Sequence, residues 1–472
     1  MNKVESILRA DALDIREMIR NRELTVTEVT SIFIERMKEK NPAVNFLVES
    51  RFDAAMEQAA KADVALSNCD AKGKLFGVPM SMKESFNVAG MQTTGGLIGR
   101  IGFVQEQDAE VVRKLKAEGA IIIGKTNTPE LCFCQETDNK LYGRTNNPWN
   151  LNRTAGGSSG GEGAAIALGA AAVGLGSDIG GSIRFPSHFN GVVGFKSGKG
   201  QVSQKGSFPF VENAWQQRML GIGPLAKTVR DAKLVYSIIA NHEMDEKDIN
   251  DFSIDVFRTI EFSLSDDMVK LLNDVYLYLK NNYVTEREPI PQLGESALLW
   301  QEIMSIDGGK STRTIAFENV KGSPFTAYMK EMTGRNANIH RYLSWALIGA
   351  SLFKPSVKRV NEISLLLKDG DEFLEEYLER RLIVMPVYHT AAPPHGIVFK
   401  EVFSINKTFL KYMPFVAFAN TWGLPALTVP VGKDDNGMPI GLQIISKNGN
   451  EDAIFSLGTI LENQFGGYTM AD

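Results

Sequence analysis

The sequence predicts an α/β fold with a large mixed sheet covered by helices on both faces. Three observations predict it: amphipathic helical stretches open the chain, short apolar runs alternate with them, and strands with Pro/Gly turns return at the C-terminal end. The first clear helix starts at Thr25-Val26-Thr27-Glu28, a capping-box pattern, and carries apolar Val29, Ile32, Phe33 and Met37. Asn41-Pro42 is read as its end. An alanine-rich stretch from Phe52 to Leu66 predicts a second helix. The apolar segment GVPMSMKESFNVAG contains a turn, and Ala120 to Gly124 reads as a short buried strand from its length and β-branching.

Between Gly156 and Gly200 the composition shifts, for fourteen of the chain's 43 glycines fall in these 45 residues. A flexible linker would not carry IALGAAAVGLG, so the segment is expected to be a folded loop, helix, loop unit with close backbone approaches. From about Asn241 to Arg381 the chain is poor in Gly and rich in Glu, Lys, Leu and Asn. This part, 241–381, is expected to be a mostly helical insertion over the pocket of a single domain spanning 1–472. The segments RLIVMPVYHTAAPPHG, GLPALTVPVG and GMPIGLQIIS then restore strands and turns.

Composition excludes several classes of function. Lys+Arg 51 against Asp+Glu 56 gives 51 − 56 = −5, and no basic run with interleaved aromatics appears, so a nucleic-acid partner is not expected. Cys69, Cys132 and Cys134 are too few for a disulfide framework and lack zinc-site spacing, so no metal or other cofactor is expected and a reduced, cytoplasmic protein is. The N-terminal stretch is broken by charges every few residues and lacks the apolar core of a signal peptide. The longest run without a polar side chain, Gly163 to Gly176, has fourteen residues, against the roughly 20 of a membrane span. No transmembrane segment is therefore expected, and a homodimer is left open.

The chemistry concentrates in two glycine-framed serine loops. In AGGSSGGEG, Ser158 and Ser159 lie between glycine pairs, and in GSDIGGSIRFP, Ser182 follows Gly180 and Gly181. Hydroxyls beside bare backbone N–H groups suit nucleophilic acyl transfer, in which a serine attacks while nearby donors hold the developing oxyanion. The competing reading, a phosphate cradle, meets neither the Walker A nor the Rossmann spacing. A serine nucleophile needs a base. His188, His242, His340, His389 and His395 sit in no catalytic motif, whereas Lys83 closes an apolar run where a surface lysine is unexpected. A lysine serves as base once burial lowers its ordinary pKa of about 10.4.

Taken together, GVPMSMKESFNVAG, GKTNTPE, RTAGGSSGGEGAA, GSDIGGSIRFP, NGVVGFK, GIGPLAKTVRD and GLPALTVPVG with GMPIGLQI resemble the amidase signature family, in order from about residue 25 onward. The separations from Lys83 to Ser158 (75 residues) and from Ser158 to Ser182 (24) also fit that family. The resemblance implies the amidase signature fold and a Ser, cis-Ser, Lys triad. In it Ser182 is the nucleophile, Lys83 the neutral base, and Ser158 relays the proton and contacts substrate. It further implies an oxyanion hole from the N–H groups of Ile179, Gly180, Gly181 and Ser182, with Ser159, Asp178 and Arg184 as polar support. Cys132 falls where the family places a residue touching the acyl group.

KESFNVAGM and LYGRTNNPWNLNRTAGGSSGGEGA are closer to the fatty acid amide hydrolase branch than to the A-type chain of glutamyl-tRNA amidotransferases. Ser197 and Gly200 depart from the Lys-Pro and Gly-Arg more usual after the nucleophile. The expected activity is hydrolysis of a small-molecule carboxamide with an apolar or acyl-chain part, through an acyl-enzyme on Ser182. The alternatives are a non-catalytic binding protein on this fold and an amidotransferase A-type subunit. Tyr342 to Phe353, with Leu298, Leu299, Trp300 and Met304, is read either as the wall of an acyl tunnel or as plain core.

Overall fold

One eleven-stranded sheet carries the residues singled out above. The structure, a computed structural model, describes residues 2–258, 262–403 and 409–472. Residues 259–261, within the expected insertion, lie outside the described residues. The strands of the first half are β1 (Leu47–Ser50), β2 (Pro79–Lys83), β3 (Ile121–Thr126), β4 (Asn146–Asn147), β5 (Asn150–Thr154), β6 (Val173–Asp178), β7 (Val193–Lys196) and β8 (Gly221–Ala226). Those of the second half are β9 (Ser253–Val256), β10 (Thr285–Glu286), β11 (Arg381–Pro386), β12 (Ala426–Lys433) and β13 (Pro439–Ile445). All but the β4–β5 hairpin join one sheet in the order β1-β3-β2-β6-β8-β7-β12-β13-β11-β9-β10.

The sheet is mixed. Strands β3, β2 and β6 run parallel to one another, β8, β7, β12 and β13 alternate in direction, and β11, β9 and β10 are again parallel. Strands β2 and β3 are buried at every position, including polar Ser81, Lys83, Lys125 and Thr126, as central parallel strands are when both faces are covered. Because β3, β2 and β6 are parallel neighbours, Thr126, Lys83 and Asp178 stand at the same, carboxyl edge of the sheet. Crevices outside such ends are where open α/β sheets bind ligands.

Residues 241–381 hold six α-helices, Asp266–Asn282, Leu293–Met304, Lys310–Ala316, Pro324–Met332, Arg341–Leu352 and Val357–Tyr377, among the described residues. They also supply β9 and β10, which extend the sheet edge, so the segment does more than cover. The helices Asp266–Asn282, Leu293–Met304 and Val357–Tyr377 add residues to the main core, while Ile339, Leu343 and Leu347 form a second small apolar cluster with Leu97 and Leu131.

Three local expectations are corrected. The helix predicted to end at Asn41-Pro42 runs from Val26 to Val44, with Pro42 inside its last turn and left-handed Asn45 (φ 60°) closing it through its N–H on Asn41 O at 2.7 Å. Only half of the capping box forms: Thr25 Oγ1 accepts the Glu28 N–H at 3.0 Å, but the Glu28 carboxylate is drawn off to Lys3. The segment expected to be a loop, helix, loop unit also holds strands: after the helix Gly160–Ala167, Gly169 (φ 64°) turns the chain into strand β6, and β7 follows a second helix, Arg184–Asn190.

Candidate active site

Lys83 is the last residue of β2 and is wholly buried. Its Nζ lies 2.7 Å from Ser158 Oγ and 3.0 Å from Ser177 Oγ, with the Ser177 carbonyl at 3.4 Å. No carboxylate pairs with it among the described residues. Burial pushes the amine below the ordinary lysine range and outweighs the opposing fields of Cys132, Asp178 and Glu162. Glu162, on the helix Gly160–Ala167, accepts from Ser81 Oγ at 2.5 Å and Thr126 Oγ1 at 2.7 Å, and its burial raises its pKa to about 7.

Ser158 follows a cis peptide from Gly157 and leads into the helix Gly160–Ala167. A Cβ at Gly157 would stand 2.7 Å from both Cys134 O and Glu136 N, so only glycine lets the two strands of chain approach there. The Ser159 N–H donates to the Ser182 carbonyl at 3.1 Å and ties the two serine loops together. The Ser159 hydroxyl has no partner among the described residues, so this residue's expected polar support comes from its backbone.

Strand β6 ends at Asp178, and Ile179-Gly180-Gly181-Ser182 turns from it into the helix Arg184–Asn190. Gly181 takes φ 92°, where a Cβ would also strike Phe185 at 2.5 Å. Buried Asp178 sits at the hub of this turn. It accepts the N–H of Gly181 (2.8 Å) and Ile183 (3.1 Å) and receives Arg184 through Nε (3.0 Å) and Nη2 (3.1 Å). Burial alone would raise its pKa, but Arg184 above all holds it well below the usual carboxylate range. Arg184 also reaches Gln443 Oε1 (2.9 Å) and Asn420 Oδ1 (2.6 Å).

The peptides of the turn are fixed largely by their carbonyls. Asp178 O accepts from Asn420 at 3.4 Å, Ile179 O from Trp300 Nε1 at 2.7 Å, Gly180 O from Gln135 Nε2 at 2.9 Å, and Gly181 O from the Phe185 N–H at 2.7 Å. A trans peptide directs its N–H away from its carbonyl. The N–H groups of Ile179, Gly180 and Ser182 therefore have no protein acceptor among the described residues, while that of Gly181 is engaged by Asp178. Of the four N–H groups named as expected donors, that of Gly181 is thus already committed to Asp178.

Ser158, Ser177, Ile179, Gly180 and Ser182 share one wall of a cavity of about 730 Å³. Cys132, half-buried in left-handed backbone (φ 60°) with its Sγ 3.4 Å from Thr128 Oγ1, lies on the same cavity. The remaining walls are largely apolar, with Trp300, Met304, Trp345, Phe353, Phe403 and Phe409. The stretch Tyr342 to Phe353 is divided between cavity and core. Trp345, Ala346, Gly349, Ala350, Leu352 and Phe353 face the cavity, whereas Tyr342, Leu343 and Leu347 belong to the buried core. Leu299 is core and Leu298 is exposed. None of the five histidines lines the cavity; His188, for one, is held by Gly441 and Thr390 carbonyls. Sequence reasoning missed Ser177 and Gln135. Ser177 lies within the GSDIGGSIRFP motif, whereas nothing local marks Gln135.

Comparison with known proteins identifies the family. The amidase family profile matches residues 28–272 and 307–455. Fatty-acid amide hydrolase 2 of Homo sapiens is 30% identical over 98% of this chain and 90% of its own length. The A-type chain of the glutamyl-tRNA(Gln) amidotransferase of Caldanaerobacter subterraneus subsp. tengcongensis is 30% identical over 96% of each sequence. A crystal structure of an amidase superposes with a TM-score of 0.81 at 26% identity, covering 97% of this chain and 100% of that one. With the profile spanning most of its length and the fold shared throughout, this chain belongs to the amidase signature family and is a hydrolase of carbon–nitrogen amide bonds.

Proposed function

We propose that the protein hydrolyses a carboxamide with an apolar acyl part, through an acyl-enzyme on Ser182. The observation that carries this reading is the 2.7 Å contact between a buried, ion-pair-free Lys83 and Ser158 on the wall that also presents Ser182. Ser182 Oγ attacks the amide carbonyl and passes its proton through Ser158 to neutral Lys83. The carbonyl oxygen, now negative, takes hydrogen bonds from the N–H groups of Ile179, Gly180 and Ser182. The tetrahedral intermediate then collapses. The C–N bond breaks, Lys83 returns the proton through Ser158 to the leaving amine, and water hydrolyses the remaining ester by the same route. The aromatic walls and the volume of about 730 Å³ support an apolar acyl group, since pockets of this size hold drug-sized ligands.

A panel of primary amides differing in acyl length tests the reading. kcat/KM should climb with chain length in the wild type, and Ser182→Ala should be inactive on every member. A preference for the shortest amide would overturn the acyl assignment. The 30% identity to an amidotransferase A-type chain supports a second reading, release of ammonia from glutamine within a complex. Glutamine hydrolysis outpacing that of acyl amides, together with copurifying partner chains, would favour it.

A further inference from the structure

The free Gly180 N–H beside Ser182 is aimed from behind. Trp300 Nε1 donates to Ile179 O at 2.7 Å, in the peptide whose other end is the Gly180 N–H. Gln135 Nε2 donates to Gly180 O at 2.9 Å, in the next peptide, whose own N–H, that of Gly181, is held by Asp178, so this neighbouring peptide plane is fixed from both sides. Both side chains press on the same glycine, where a Cβ would come within 2.7 Å of the Trp300 ring and 3.3 Å of Gln135 Nε2. Both also line the cavity.

Packing alone does not account for Gln135. It is 4% exposed, its Oε1 has no partner, and its one side-chain hydrogen bond among the described residues is the one to Gly180. A buried acceptor left unpaired is costly, and an apolar side chain of the same shape would avoid that cost. Trp300 is informative in another way. It belongs to the helix Leu293–Met304, which is tied through Ser296 to Thr421 and Trp422, next to the Asn420 that holds Asp178.

We propose that Trp300 and Gln135 are positioning residues that hold the Ile179–Gly180–Gly181 peptides so that the N–H donors meet the oxyanion formed on attack by Ser182, and that Trp300 thereby couples the covering helix to the reacting centre. This rests on the reading of Ser182 as nucleophile. Neither side chain touches the reacting atoms. Each acts by fixing the orientation of a peptide plane, so its loss weakens binding of the transition state more than binding of the substrate.

The test uses Trp300→Phe, which keeps an aromatic ring without the N–H, and Gln135→Met, which keeps the shape without the donor. For an amide substrate, kcat should fall roughly tenfold to a hundredfold, short of the 10²- to 10³-fold loss typical when an oxyanion donor itself is removed, with KM changed less than about twofold. Affinity for an alkylboronic acid, which forms a tetrahedral adduct, should fall in proportion to kcat, while that for the alcohol of equal chain length stays put. Gln135→Met should melt no lower than the wild type. Unchanged kcat in both variants would overturn the proposal, as would equal losses of boronic acid and alcohol binding. Ser182→Ala is run alongside. If it keeps activity, the nucleophile reading falls and this proposal with it; if it is inert and Trp300→Phe and Gln135→Met are unimpaired, only the positioning role falls.

Discussion

Lys83 Nζ lies 2.7 Å from Ser158 Oγ, and the other groups it reaches, the hydroxyl and carbonyl of Ser177, are neutral. No carboxylate pairs with the amine among the described residues, and burial lowers its pKa against the weaker opposing fields of Cys132, Asp178 and Glu162. In the proposed reaction the Ser158 hydroxyl beside it is the path along which a proton reaches the amine.

The pH dependence of activity follows from that environment. If neutral Lys83 is the base, kcat/KM should rise with pH through the folded-state pKa of the coupled site, which lies below the ordinary lysine value of about 10.4. Lys83→Ala should cost on the order of 10³-fold in kcat/KM and flatten that rise. Stopped-flow or steady-state pH profiles of both proteins check this.

Ser158→Ala separates attack from leaving-group departure. Without the relay, amides should lose far more rate than activated esters of the same acyl group, since the ester's leaving group departs with little protonation. Equal losses on amide and ester would remove Ser158 from the proton path.

The buried pair of Asp178 and Arg184 is a stability element as well as the hub of the turn. Arg184→Met leaves the carboxylate buried without its partner and should lower unfolding free energy by about 3 to 5 kcal/mol in urea titrations. Asp178 has a depressed folded-state pKa, so its contribution is present above the unfolded value of about 3.9 and is lost as pH falls through the lower folded one. The difference between wild type and variant should therefore shrink on acidification.

Glu162 titrates with the opposite sign. Its folded-state pKa is raised to about 7. Its contribution to stability is therefore complete below the unfolded value of about 4.3 and fades as pH rises toward 7, at about 1.4 kcal/mol per unit of difference. Glu162→Gln, which stays neutral, should unfold with a flatter pH dependence across that interval. Thermal melts of both proteins between pH 5 and 8 would show it.

What could be read in the sequence was whatever short segments encode. The glycines around Ser158 and Ser182 are adjacent in the chain because the backbone conformations they permit are local. Lys83 was conspicuous because an apolar strand ends in it. Gln135, and the bond that Trp300 makes to the turn, are not legible because their partners at Gly180 and Ile179 lie 45 and 121 residues away, and only the folded sheet brings them together. Pro42 misled for a related reason, since a proline in the final turn disrupts little once Asn45 supplies a left-handed cap. The dual role of Tyr342 to Phe353 was also hidden, because a helix with apolar residues on two faces reads the same whether one side meets core or cavity.

The central claim is that the acyl group passes through Ser182, and trapping it tests that most directly. The enzyme would be quenched in acid during turnover of a slow acyl ester, digested, and analysed by mass spectrometry. The account predicts one added acyl mass on the peptide containing Ser182 and none in Ser182→Ala. An acyl group found instead on Ser158, Ser159 or Cys132 in the wild type, or an undiminished rate in Ser182→Ala, would contradict it.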